Sequence, residues 1–130
     1  MIGAVIVLFL TATAELSSIG QTCDSKSTFM ISNFESTPWP ASAGVQLTIS
    51  MAGTFKREDY ISDILIKTSF NKGAWTYKYI DINQKFYYGQ IYTFTFPVLA
   101  GTLNGEYRVQ ALLEQKQGSG ISCWEFSYII

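Results

Sequence analysis

Beyond its first 28 residues, most of the chain alternates between apolar and polar side chains with a period of two. In one segment Val45, Leu47, Ile49 and Met51 alternate with polar residues, and Gly53 follows. Such alternation places every second side chain on the same face of a strand, and Gly, Asn and Pro mark the turns between strands. The pattern predicts strands near residues 29–34, 45–51, 61–70, 75–79, 92–96, 107–114 and 121–130.

The predicted elements are all strands, because no stretch repeats apolar residues at helical spacing. About seven short strands separated by turns are typical of an immunoglobulin-like antiparallel two-sheet β-sandwich, an all-β fold. Cys23 and Cys123 lie at the two ends of this region rather than on two facing core strands. A true immunoglobulin domain is therefore disfavoured.

The N-terminus carries a different pattern. Residues 2–10 are apolar apart from Gly3, and residues 11–14 (TATA) precede the first charged side chain, Glu15. This segment resembles a secretory signal peptide cleaved after Ala14, although it has no Lys or Arg at its start. It is shorter than the ~20 apolar residues that span a bilayer. We predict a signal peptide over residues 1–14 and one β-sandwich domain over residues 15–130; the alternative is an N-terminal strand or buried arm of the fold.

An exported protein enters an oxidising compartment, where two cysteines at the ends of a domain pair readily. We therefore expect one disulfide between Cys23 and Cys123, closing nearly the whole domain; the alternative is two unrelated buried thiols. A cross-link around a loop of about 100 residues stabilises a fold by roughly 4–5 kcal/mol in the chain-entropy treatment.

Composition excludes several kinds of chemistry. The chain has no His, so it cannot contain a Ser–His–Asp or Cys–His catalytic site or a His-ligated metal. A net charge of −1 does not favour nucleic acid as a partner. Glu58 and Asp59 are adjacent carboxylates, but no oriented partner accompanies them. We predict that the protein is not an enzyme and uses no metal or cofactor.

The aromatic content is high, with 8 Tyr, 9 Phe and 3 Trp. Two explanations remain open: a plain aromatic core, or sheets that splay apart around an apolar cavity filled by an apolar ligand. The alternation predicts three inward-facing aromatic rows, which are Trp75/Tyr77/Tyr79, Tyr92/Phe94/Phe96 and Trp124/Phe126/Tyr128.

Several motifs resemble the ML lipid-recognition domain family. Residues 36–49 (STPWPASAGVQLTI) are similar to its P-x-P … G-x-x-L-x-I opening, which is closest to the phosphatidylglycerol/phosphatidylinositol transfer branch. Residues 105–109 (GEYRV) resemble its G-x-Y-x-V strand. Residues 118–126 (GSGISCWEF) resemble the glycine turn and Cys-bearing last strand of the Niemann–Pick lysosomal sterol-transfer branch. The resemblance spans roughly residues 23–130.

The resemblance implies an exported two-sheet sandwich that holds one lipid, a phospholipid or a sterol, in an apolar cavity between its sheets. It also implies the Cys23–Cys123 disulfide. This chain departs from the family where residues 80–89 (IDINQKFYYG) replace a stretch that usually carries further cysteines. In the family that hairpin helps to frame the mouth of the cavity, so the mouth of this chain is expected to differ.

The candidate site follows from the inward positions of several strands. The predicted lipid-binding residues are Ile64, Ile66, Phe94, Phe96, Val109, Trp124 and Phe126, each of which also suits an ordinary core. The predicted rim of the pocket is Phe86, Tyr87 and Tyr88, three consecutive aromatic residues beside Gly89, which could equally form a small cluster under a loop. The mixed charges at residues 56–59 (KRED) are interpreted as a solvated turn or as a head-group or membrane contact.

The predicted function is therefore to bind a single lipid and to carry or present it, with a transient membrane surface as a partner and a secreted or endolysosomal location. The alternative is a structural or adaptor subunit that uses the same sandwich for protein contacts in a larger assembly. A receptor-associated lipid sensor is a third possibility, with no sequence feature of its own to favour it.

Overall fold

The computed structural model describes residues 18–24, 26–116 and 120–130. The predicted signal peptide lies outside these residues. In the described part of the chain, no helix is long and apolar enough to cross a membrane. The strands are β1 (Gln21–Thr22), β2 (Phe29–Thr37), β3 (Gln46–Phe55), β4 (Asp59–Phe70), β5 (Trp75–Phe86), β6 (Ile91–Leu99), β7 (Glu106–Gln115) and β8 (Gly120–Ile129).

The strands form two antiparallel sheets that face each other. One sheet has the strand order β1-β8-β7-β4-β5, and the other has the order β2-β3-β6. The predicted immunoglobulin-like β-sandwich is therefore confirmed, with the seven expected strands and the two-residue β1 added to them. The first predicted strand, residues 29–34, is longer in the structure, where β2 continues to Thr37.

The two sheets are hydrogen-bonded to each other where β2 faces β8. The backbone NH of Thr28 donates to the carbonyl of Ile121 (3.0 Å), and the buried Ser122 hydroxyl donates to the carbonyl of Phe29 (3.1 Å). At the opposite edge, β5 and β6 end different sheets and do not pair with each other in the described structure. The two sheets are thus joined by hydrogen bonds along the β2–β8 edge, called here the stapled edge, and in the described structure no backbone pairing joins β5 to β6 at the other edge.

The core lies between the sheets, and rings dominate one end of it. Phe29, Phe55, Phe86 and Phe94 are buried and pack on one another, with centroid distances of 4.5 Å for Phe55–Phe86 and 5.5 Å for Phe86–Phe94. Burying one such side chain contributes about 1.5–3 kcal/mol. This cluster closes the end of the sandwich where the β5–β6 turn lies.

The predicted inward row on β5 is wrong. Tyr77 and Tyr79 are each 60% exposed and lie on the outer face of the sheet. The register explains the difference, because the inward Ile64 and Ile66 of β4 pair with Ile80 and Lys78 of β5. The even-numbered residues of β5 therefore face inward. A tyrosine tolerates the outer face of an edge strand, where its hydroxyl stays hydrated.

Cys23 and Cys123 form the predicted disulfide, with their Cα atoms 5.1 Å apart and 100 residues between them in the chain. The backbone NH of Cys23 also donates to the carbonyl of Cys123 (3.0 Å). The bond holds the segment after β1 against β8, immediately before the chain crosses to the second sheet at β2.

Replacing both cysteines, as Cys23→Ala with Cys123→Ala, should lower the free energy of unfolding by about 2–5 kcal/mol, because the unfolded chain regains the entropy of a long open loop. Urea denaturation followed by tryptophan fluorescence measures the change. Wild-type protein unfolded in the presence of a reductant should show a similar loss. A loss below about 1 kcal/mol in both experiments would contradict the stabilising role.

Candidate ligand site between the sheets

A groove of about 260 Å³ opens between the sheets where β5 faces β6. Ile66 and Val98 form its buried floor, one from each sheet, and both belong to the hydrophobic core. The groove thus connects the exterior with the core at the edge where the sheets are not hydrogen-bonded to each other. Its walls are Ile66, Thr68, Thr76, Tyr77, Lys78, Pro97, Val98 and Leu99.

The register of β4 and β5 brings the polar wall together. Ile66 is directly opposite Lys78, and Thr68 is directly opposite Thr76. The Thr76 hydroxyl donates to the carbonyl of Thr68 (3.3 Å). On the inner face of this sheet, the apolar Ile66 of β4 is therefore followed by polar side chains, which are Thr68 on the same strand and Thr76 and Lys78 on the edge strand β5. This arrangement suits an amphiphile, which needs an apolar interior and a polar margin.

The structure places most of the predicted lipid-binding residues in one continuous core. They are nearly fully buried between the sheets, and of the seven only Ile66 also lines the groove; the buried residues are Ile64, Ile66, Phe94, Phe96, Val109 and Phe126. Trp124 is partly buried and packs against the same core from the β2–β8 edge. Its indole NH donates to the carbonyl of Ile19 (2.8 Å), and its ring stacks on Phe34 at 5.6 Å.

The predicted rim residues are not beside this groove. Phe86 is buried and stacked on Phe55, whereas Tyr87 and Tyr88 in the β5–β6 turn are 54% and 77% exposed. Tyr87 comes ten positions after Tyr77, just beyond the end of β5, which is about 33 Å along the strand at the usual rise per residue. The turn is closed by backbone hydrogen bonds from Gly89 to Phe55 (2.8 Å) and from Phe55 to Gln90 (2.9 Å).

A second groove, of about 310 Å³, lies at the stapled edge and was not predicted from the sequence. Met30, Ile31, Ser122 and Trp124 line it, together with Thr22, Asp24 and Ser27. It is the larger of the two, but the hydrogen bonds between β2 and β8 cross the same edge and hold the sheets together. An apolar ligand would reach the core more easily through the unpaired β5–β6 edge.

The mixed charges at residues 56–59 form a structural turn. The buried Asp59 carboxylate accepts hydrogen bonds from the Arg57 Nε (3.0 Å), the Gln115 amide (2.6 Å) and the Thr28 hydroxyl (3.2 Å). It thereby ties the start of β4 to β7 and to the segment before β2. Glu58 pairs with Lys85 at 2.8 Å on the surface, where such pairs contribute little stability.

A buried glutamate and a half-buried aspartate lie side by side next to a bulge in β4. Glu114 is buried, and its neighbour across the β4–β7 pairing is Asp63. Burial, the hydrogen bond with Asp63 and the negative charge of Asp63, in that order of importance, together raise the pKa of Glu114 to about 7. Protonated Glu114 can donate a hydrogen bond to Asp63, whereas two carboxylates would repel each other. No group of three or more Cys, Asp or Glu side chains in the described ranges is placed to hold a metal ion.

Solved structures similar to this one include an ant protein and a chicken protein. A Niemann–Pick type C2 protein from the Japanese carpenter ant superposes with a TM-score of 0.63 at 9% identity, covering 86% of this chain and 98% of the ant chain. The chain has the ML-domain fold. Chicken MD-1, solved in complex with lipid IVa, superposes with a TM-score of 0.56 at 13% identity, covering 84% of this chain and 86% of the chicken chain.

The match to the ML fold agrees with the resemblance seen in the sequence motifs. No protein-family model matches the sequence, and no curated protein matches it. At 9% and 13% identity the two structures establish the architecture alone.

Replacing Glu114 by Gln should flatten the pH dependence of stability. The pKa of Glu114 is higher in the folded than in the unfolded protein, so protonation of Glu114 favours folding. This contribution to the free energy of unfolding is complete at a pH below the unfolded pKa of about 4.3, and it is lost as the pH rises through the folded pKa of about 7. The free energy of unfolding of the wild-type protein should therefore fall by roughly 1–3 kcal/mol between pH 4.5 and 7.5 through this group, and the Glu114→Gln variant should not show this fall. Urea titrations across this range measure the difference. Glu106→Gln, an exposed change on the same strand, should behave like wild type, and parallel curves for wild type and Glu114→Gln would contradict the assignment.

Proposed function

We propose that this protein binds a single lipid, with the apolar part of the lipid between the two sheets, and carries or presents it. The observation that carries the proposal is the unpaired β5–β6 edge, where the groove reaches core residues of both sheets at Ile66 and Val98. Ile64, Phe94, Phe96, Val109 and Phe126 would form the deeper wall. The shared fold of chicken MD-1, solved with lipid IVa, supports a lipid as the class of ligand.

The energetics favour an apolar ligand that enters by this edge. Each buried CH₂ contributes about 0.8 kcal/mol, so a chain of several carbons is retained against water. The groove of about 260 Å³ is slightly smaller than typical ligand sites, which occupy about 300–1,000 Å³. We infer that the sheets separate further at the β5–β6 edge on binding, with the hydrogen-bonded β2–β8 edge as the hinge.

The surroundings of the groove suit contact with a membrane. Leu99 is 68% exposed on β6 at the margin of the groove, and the Tyr77 side chain is exposed on the outer face of β5 at the same margin. We propose that these residues meet a membrane surface transiently during loading or release. A disulfide-closed domain suits an oxidising compartment, which supports the proposed secreted or endolysosomal location.

The alternative function as a structural or adaptor subunit draws on a different observation. Tyr77 and Tyr79 form an exposed aromatic row on the outer face of β5, beside Trp75, and aromatic residues are enriched at protein interfaces. Sedimentation analysis would separate the two functions. A monodisperse monomer that contains lipid supports the carrier, and a stable assembly without lipid supports the adaptor.

Native mass spectrometry of purified protein should show one bound lipid per chain, and organic extraction should release it. Thr76→Trp should reduce lipid occupancy at least severalfold, because the indole fills a groove that the wild-type side chain only lines. Thr76 is exposed, so the substitution should leave the melting temperature nearly unchanged.

Thr95→Trp supplies the matched control, since Thr95 is exposed on β6 and does not line the groove. It should retain wild-type occupancy. If neither extraction nor fluorescent sterol and phospholipid probes reveal any binding by wild-type protein, the proposed function is wrong.

A further inference from the structure

The groove contains one charged side chain, Lys78, and no carboxylate among its lining residues. The other polar side chains that face the groove from the inner side of the sheet are those of Thr68 and Thr76. The local charge at the margin of this apolar groove is therefore positive. In a chain with a net charge of −1, this sign is not a consequence of overall composition.

Lys78 also occupies an unusual position in its strand. It pairs with the inward, buried Ile66, so its stem lies on the inner side of β5 where the sheet meets the groove. A lysine at such a position must extend its ammonium group along the wall towards water. An uncharged side chain at this position would not need to reach water, whereas the Lys78 ammonium group can pair with an anion at the mouth of the groove.

The other basic residues on the described strands all have partners. Lys67 lies over the Trp75 ring (4.9 Å), Lys85 pairs with Glu58 (2.8 Å), and Arg108 pairs with Glu125 (3.2 Å). Among the described residues, Lys78 makes no salt bridge and no cation–π contact. Its ammonium group is available to an external anion.

We infer that the groove selects an amphiphile with an anionic head group, which Lys78 binds at the mouth while the apolar tail contacts Ile66 and Val98. This inference rests on the proposed function and adds the class of ligand to it. A fatty-acid carboxylate and a phospholipid phosphate share the required chemistry. A sterol, whose polar group is an uncharged hydroxyl, gains no ion pair from this lysine.

The test compares ligands that differ only in head-group charge. Oleate and oleyl alcohol form one pair, and dioctanoyl-phosphatidylglycerol and dioctanoylglycerol form the other. Wild-type protein should bind the anionic member of at least one pair more tightly. Lys78→Gln should lower the affinity for that anionic ligand about tenfold, since a charge-assisted hydrogen bond is lost, and should leave the affinity for its uncharged counterpart unchanged. Lys78→Arg should retain most of the preference.

Lys85→Gln is the matched control, because Lys85 lies on the same strand near the β5–β6 turn and outside the groove. It should leave both affinities at the wild-type level. A loss of anion preference in Lys85→Gln but not in Lys78→Gln would overturn the assignment and place the head group at the turn. Melting temperatures of all variants should match wild type, since both lysines are exposed.

The two hypotheses fail in different ways. If oleyl alcohol and cholesterol bind wild-type protein as tightly as the anionic probes, the role of Lys78 is wrong and lipid binding stands. If no probe binds, lipid binding itself is wrong. Which of the two anionic ligands shows the larger Lys78 effect distinguishes a carboxylate from a phosphate.

Discussion

The hydrogen bonds between β2 and β8 are the constraint on which the rest of the sandwich depends. Thr28 and Ser122 each bridge the two sheets, and both bonds lie at the edge where the chain crosses from one sheet to the other. The disulfide holds the segment before this crossing against β8. Because separation of the sheets here would break buried hydrogen bonds, it would cost more free energy than separation at the opposite edge, where β5 and β6 do not pair in the described structure.

The distribution of rings reinforces this asymmetry. Phe29, Phe55, Phe86 and Phe94 pack together near the β5–β6 turn, so that end of the core is closed by large side chains in mutual contact. Towards the other end of β5, the inner positions carry Thr76 and Lys78, which fill less of the space between the sheets with apolar atoms. The high aromatic content thus closes one end of the sandwich and leaves a groove towards the other.

Period-two alternation was sufficient to predict the sandwich and most of its core. Ile64, Phe94, Val109 and Phe126 are buried because β4, β6, β7 and β8 each have one clearly apolar face. On β5 the aromatic face proved to be the outer one, since both faces of an edge strand can carry rings and only the register with β4 decides between them. Strict alternation also cannot predict the bulge between Ile61 and Asp63. The bulge lets Ile61 and Ile64 both face inward, although one is odd-numbered and the other even-numbered.

The position of the groove could not be predicted in the same way. Consecutive aromatic residues predict a rim at Phe86–Tyr88, which stays a prediction, whereas the groove at the β5–β6 edge depends on how the sheets pack, and no local pattern encodes that packing.

Lys78 is the position where local pattern and tertiary structure conflict most clearly. A basic side chain on the inner face of a sandwich works against burial of that face, and residues that break such a rule in natural proteins tend to mark functional sites. The conflict is confined to the unpaired edge, where the groove lets the ammonium group reach solvent or a ligand. A charge on an edge strand also discourages pairing with another sheet, so the Lys78 position alone does not require a ligand, and only binding to an anionic head group distinguishes the two roles.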